Sequence, residues 1–137
     1  TIRRRKDPLF AVRRNISSRL NTFLKTTGLE KNHPIGEYVG ESSNFLRDFI
    51  TEQFEPGMTW KNYGIVWHLD HVRPLSSFDF VDNQQLYVAN NWRNLQPLFV
   101  QHNLEKSDRY TLEDESNWIK RMDKYQFEGD LFLKFSN

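Results

Sequence analysis

Ile65-Val66-Trp67-His68-Leu69-Asp70-His71-Val72-Arg73-Pro74 is the stretch on which the reading of this chain turns. β-Branched and aromatic residues dominate it, Gly64 precedes it and Pro74 stops it, the pattern of a short strand. Side chains alternate across a strand. His68 and Asp70 therefore share one face, and His71 takes the other unless the backbone twists or turns near Pro74. A second run, Leu95-Gln96-Pro97-Leu98-Phe99, predicts a partner strand, and Val100 through Asp108 predicts a helix. Between them, Ser76 to Asn91 reads as a polar loop, so the order is strand, loop, strand, helix.

Helical signals flank this unit. Asp7-Pro8 makes a helix start, with Asp7 as cap and Pro8 at the first position, where its missing N–H costs nothing. Leu9, Val12, Ile16, Leu20, Phe23 and Leu24 then recur at helical spacing up to Gly28, leaving Arg14, Ser18 and Asn21 on the polar side. After a turn-rich link through Asn32, Pro34 and Gly36, Ser42 or Ser43 caps a second helix carrying Phe45, Leu46, Phe49, Ile50 and Phe54, which Pro56-Gly57 breaks. Near the other end, Asp114 or Glu115 starts a packing helix with Trp118, Ile119, Met122 and Tyr125 on one face. Leu131-Phe132-Leu133 is apolar enough either to dock on the core or to form an edge strand. The expected class is α+β, one domain over 1–137: a basic helical part (1–56), a central core (60–110) and a C-terminal packing segment (111–137).

With 19 Lys and Arg against 18 Asp and Glu, the net charge of +1 says nothing about a nucleic-acid partner. Its distribution does. Arg3, Arg4, Arg5, Lys6, Arg13, Arg14, Arg19 and Lys25 face the lone Asp7 in the first 25 residues, a basic arm or face suited to phosphate. There is no cysteine, which excludes a disulfide framework and a thiolate zinc site. Phe 11, Tyr 5 and Trp 4 supply core material, and no apolar run reaches the roughly 20 residues of a membrane span. Nothing resembles a secretory signal, so an intracellular, non-secreted protein is expected.

Chemistry concentrates at Asp70-His71. A neutral imidazole near its ordinary pKa of about 6.5 suits a general base acting on water. A carboxylate and an amide oxygen suit a hard cation that keeps exchangeable waters. Asn103 falls in the first turn of the predicted helix, where unpaired N–H groups and the dipole favour phosphate.

The run Trp67 to Leu75, with Asn94-Leu95-Gln96-Pro97-Leu98 and Asn103-Leu104-Glu105-Lys106, resembles the ββα-metal (His-Me finger) motif of HNH endonucleases. The similarity, to HNH and homing-type proteins of phages and large viruses, extends from Lys6-Asp7-Pro8-Leu9 to Asp108, about three quarters of the chain. The resemblance implies a ββα-metal core flanked by N-terminal helices and a C-terminal helix. It implies hydrolysis of DNA, most readily double-stranded, leaving 5′-phosphate and 3′-hydroxyl ends. His71 would be the general base, Asp70 and Asn103 the ligands of one Mg²⁺ or Mn²⁺ per site, and Asn94 the residue that holds the inter-strand loop and orients the imidazole. Relatives often brace the motif with cysteine-rich zinc knuckles, which this chain lacks.

Around that centre, Arg73, Lys106 and Arg109, together with Arg13 and Arg14 of the basic helix, are candidates for nucleic-acid phosphate. His68 is a candidate to support Asp70 from the same face, whereas Trp60 and Tyr63 read as core. A homodimer would supply two active sites for a duplex cut. Two other classes compete: a nucleic-acid-binding module with a degenerate site, and a protein-interaction domain.

Overall fold

The computed structural model describes residues 8–27 and 35–135. The expected Asp7 cap, the Gly28 stop and the Arg3 to Lys6 arm lie outside the described residues. Helix α1 spans Pro8–Thr27, α2 spans Ile35–Val39 and α3 spans Ser43–Glu52. Strand β1 (Trp67–His71) is followed by α4 (Asn83–Asn90), β2 (Leu95–Phe99), α5 (Val100–Lys106) and α6 (Leu112–Lys124). The molecule is thus α+β, with helices around a small sheet. No helix among the described residues is long and apolar enough to cross a membrane.

The two strands pair antiparallel, in register from Trp67↔Phe99 through Asp70↔Gln96 to His71↔Leu95. A two-stranded sheet is marginal alone and needs apolar cover. Trp67, Leu69 and Leu95 supply one side of that cover, packed with Val12 of α1, Val39 of α2 and Leu46, Phe49 and Ile50 of α3. The free edge of β1 is closed by α1, whose Asn15 and Arg19 side chains donate to the Leu69 carbonyl. Trp67 is ringed by Phe54, Trp60 and Tyr63, so the last two serve the core as expected.

Local signals explain the helix ends. The Ser42 hydroxyl accepts from Phe45 N at 3.1 Å, and α3 buries Leu46, Phe49 and Ile50. Beyond it, Gly57 takes a φ of +99°, a conformation glycine adopts without strain, and the chain turns back. Helix α6 starts before the expected Asp114 or Glu115: Thr111 is the cap, and Asp114 returns a hydrogen bond to it in a capping box.

Two expectations change. The segment from Ser76 to Asn91, expected as a polar loop, contains α4, capped by Asp82 and burying Leu86, Val88, Ala89 and Asn90. Its apolar residues do not form one helical stripe, because the helix is enclosed on more than one side and tertiary packing supplies what amphipathy does not. The second concerns Arg73, expected at phosphate. It is 1% exposed. Its guanidinium donates to Ser77 Oγ and O and to the Leu131 and Phe132 carbonyls, and lies 3.9 Å from the Phe78 ring centroid. Arg73 therefore ties down the C-terminal segment and has no face left for a ligand. Leu131, Phe132 and Leu133 dock on the core rather than forming a strand. The buried Glu115 carboxylate completes the clasp by accepting from Lys134 N and Phe135 N.

Arg73→Met keeps an apolar stem but strands buried carbonyls, at a cost of about 1–3 kcal/mol for each group left unpaired. The expected loss is roughly 3 kcal/mol in chemical denaturation, with the C-terminal segment becoming sensitive to protease at native conditions. A loss under about 0.5 kcal/mol would show that the clasp carries no stability.

Candidate active site

Asp70 lies near the end of β1 on the face opposite the Trp67 core, and is 2% exposed. A buried carboxylate needs a cation or hydrogen-bond donors. Its Oδ2 has both: Lys106 Nζ at 2.9 Å and Gln96 Nε2 at 2.9 Å. Gln96 is its cross-strand partner, placed there by register. Lys106, on α5, also donates to the His71 carbonyl, so it ties the helix to the strand end through two acceptors. Asn103 is half-buried at the centre of this seven-residue helix. Positions three apart share a helix face, so Asn103 lies on the side from which Lys106 reaches Asp70.

His71 belongs by alternation to the other side of the strand, and its ring meets Asn90 of α4. It is 2% exposed. Nε2 lies 3.0 Å from Asn90 Oδ1. The Asn90 amide is oriented by donation from its Nδ2 to the Leu86 carbonyl, which leaves the oxygen toward the imidazole. Nε2 must then carry the proton, and the lone pair sits on Nδ1. Nδ1 is the single buried side-chain polar atom without a hydrogen-bond partner among the described residues. Burial above all, helped by the Arg19 and Lys106 charges, lowers the His71 pKa from 6.5 to about 4, against opposing contributions from the Asn90 hydrogen bond and Asp70. The ring is neutral at pH 7.

Asn94 is 0% exposed and meets all its hydrogen-bonding capacity. Its Oδ1 accepts from Arg73 N at 2.9 Å and Trp118 Nε1 at 2.8 Å. Its Nδ2 donates to Ala89 O at 2.8 Å and Arg73 O at 3.2 Å. One side chain thereby joins the exit of β1, the end of α4, the start of β2 and the middle of α6. It makes no hydrogen bond to the imidazole; it fixes α4, which carries Asn90.

The remaining candidates divide by environment. Arg109 is exposed and lines, with Lys106, Gln96, His102, Glu105 and Asp114, a groove of about 510 Å³ between α5 and α6. Arg14 is exposed beside a second hollow of about 490 Å³, which His68 also lines with Asn15, Ser18 and Tyr63. His68 thus opens toward α1, and the Asp70 Oδ2 atom takes its bonds from Lys106 and Gln96. Arg13 is half-buried and donates to Ser43 Oγ at 2.6 Å, which joins α1 to α3. Asn90, Gln96 and Arg19 are site residues to which the sequence reading gave no role at the centre. Gln96 becomes a site residue through the strand register, which pairs it with Asp70, whereas Asn90 was hidden in the segment expected to be loop. Among the described residues, no group of three or more His, Cys, Asp and Glu side chains is disposed to hold a metal.

The chain is similar to two proteins of Acanthamoeba polyphaga mimivirus. It is 34% identical over 113 residues to uncharacterized protein L426, covering 82% of this chain and 48% of that protein. To uncharacterized protein L246 it is 30% identical over 113 residues, covering 82% and 49% respectively. The chain spans about half the length of the curated relatives it matches. No family model and no solved structure matches it.

Two outcomes follow from the geometry. Asn94→Ala leaves several buried groups unpaired and is expected to cost roughly 3 kcal/mol or more by chemical denaturation; a loss below about 1 kcal/mol would contradict the pinning role. For His71, the folded pKa of about 4 lies below the unfolded value of 6.5, so its contribution is fully present above pH 6.5 and is lost as pH falls through about 4. At about 1.4 kcal/mol per unit, that contribution is up to about 3 kcal/mol. In EDTA, the stability difference between the wild type and His71→Asn should therefore shrink over that window. Parallel pH profiles would show that the ring is not held neutral.

Proposed function

We propose that the chain is a metal-dependent endonuclease of the HNH type, with β1, β2 and α5 as its ββα unit and duplex DNA as substrate. One observation carries this reading. A buried carboxylate paired with a cation and a buried imidazole with one unpartnered nitrogen occupy successive positions at a strand end, backed by a fully satisfied asparagine.

The donor set suits the implied metal. The Asp70 carboxylate and the Asn103 amide oxygen are the groups to hold one Mg²⁺ or Mn²⁺, a hard cation that takes oxygen ligands. When bound, it supplies charge stabilisation to the pentavalent phosphorus and the departing oxygen. His71 keeps its proton on Nε2 against Asn90 and offers Nδ1 to the attacking water. The water proton passes to Nδ1, its oxygen bonds phosphorus, and the bond from phosphorus to the 3′ oxygen breaks; that oxygen takes a proton from solvent water, leaving 5′-phosphate and 3′-hydroxyl ends. Burial keeps the ring neutral but also weakens it as a base, so the reading requires the cover over Nδ1 to part when substrate binds. Contact with water and a phosphate anion then returns the pKa toward 6.5. Arg14, Lys106 and Arg109 are the exposed or half-exposed cations for phosphate.

A second reading, a nucleic-acid-binding module that does not cut, draws on the same observations: Lys106 sits on Asp70, and His71 is buried. Plasmid nicking separates the two. The wild type should nick supercoiled plasmid with Mg²⁺ and stop in EDTA, and His71→Ala should lose about 10²–10⁴-fold in rate. Undiminished cutting by His71→Ala would overturn the base, and cutting in EDTA would overturn the metal. Salt-dependent DNA binding with no nicking under any divalent ion would favour the binding module.

A further inference from the structure

Lys106 joins two places in the structure. Its ammonium lies 2.9 Å from Asp70 Oδ2 and also donates to the His71 carbonyl, while its side chain is 21% exposed against 3% for Asp70. The same side chain lines the groove of about 510 Å³ with Arg109, His102 and Gln96. The carboxylate that would hold a divalent ion is thus already neutralised, and the neutralising charge borders the space open to a ligand.

A divalent ion on either oxygen of the Asp70 carboxylate would lie within a few Å of the ammonium and repel it strongly, which favours displacement of Lys106. Displacement into solvent leaves Lys106 without its buried partner. Glu105 and Asp114 border the groove, but Glu105 is open to water and Asp114 is engaged in the Thr111 cap, so exchanging the buried Asp70 for either gains little. A phosphodiester strand in the groove offers a better destination. Lysine suits such an exchange, because its charge is compact, its stem is flexible and its three donors rotate freely.

We propose that Lys106 is an exchangeable counterion: it occupies the Asp70 site in the free protein and transfers to a phosphate of bound DNA, so divalent metal and DNA bind cooperatively through one side chain. The inference rests on the nuclease reading above and adds an order of events to it. Free protein binds metal weakly, DNA opens the carboxylate, and metal is taken up where a substrate is already present. By linkage, the factor by which DNA tightens metal binding is the factor by which metal tightens DNA binding.

The test is calorimetric titration of the whole chain with Mn²⁺ alone, with and without a duplex whose phosphorothioate linkages resist cutting. Wild type should bind Mn²⁺ about ten-fold more tightly, or better, when the duplex is present. Lys106→Met removes the competing charge and keeps the stem. Without DNA it should bind Mn²⁺ about ten-fold more tightly than wild type, and the further gain on adding DNA should largely vanish. Lys106→Gln serves if the methionine variant misfolds by circular dichroism. Unchanged or weakened Mn²⁺ binding in a folded Lys106 variant would overturn the exchange. Combining Asp70→Asn with Lys106→Met locates the ion. If the double variant loses Mn²⁺ binding while Lys106→Met alone shows no gain, the exchange fails and the metal site stands. If Mn²⁺ binds equally with and without Asp70, or binds none of these proteins, the metal assignment itself fails and the exchange falls with it.

Discussion

The buried amide of Asn94 is the constraint on which the arrangement depends. A neutral amide at 0% exposure is tolerable because two donors reach its oxygen and two acceptors take its hydrogens. Those partners come from three separate parts of the chain: the backbone of Arg73 just after β1, Ala89 in α4, and the Trp118 indole in α6. Sliding any of these by one residue would leave a buried polar group unmet. The angle at which α4 and α6 meet the sheet is therefore set by hydrogen-bond geometry as well as apolar packing. Arg73 depends on the same point, since the backbone held by Asn94 aims its guanidinium at the C-terminal segment.

Strand parity divides the chemistry. Asp70 and His71 are adjacent in the chain but open onto opposite sides of β1, one beneath α5 and the other against α4. Each side completes its residue differently. A cation and a register partner satisfy the carboxylate, whereas an asparagine takes one imidazole nitrogen and leaves the other open. The proposed cutting reaction must bridge this division at the strand end, where the Lys106 ammonium already touches both residues.

Elements with a strong local signal were legible: both strands, the Ser42-capped α3, and the apolar face of α6. Helix α4 was not, because Asn83, Gln84 and Gln85 make it look like polar loop, and its helical state depends on burial of Leu86, Val88 and Ala89 from more than one direction. Arg73 misled for a related reason. A basic residue beside a phosphate-chemistry motif suggests a ligand contact, but charge alone does not reveal whether a guanidinium meets solvent or four acceptors supplied by Ser77, Leu131 and Phe132.

What the linear order settled is what short-range stereochemistry controls: strand alternation around Asp70, helix caps, and the β–β–α succession whose spacing resembles a nuclease motif. Only three dimensions decided which partners those residues received. Asn90, Gln96, Trp118 and Lys106 are 19, 26, 24 and 36 positions from the groups they bind. Such contacts form when distant segments close into one core, and burial then decides whether a side chain is a ligand, a base or a clasp. Lys106 on Asp70, the open nitrogen of His71 and the internal role of Arg73 all belong to that second category.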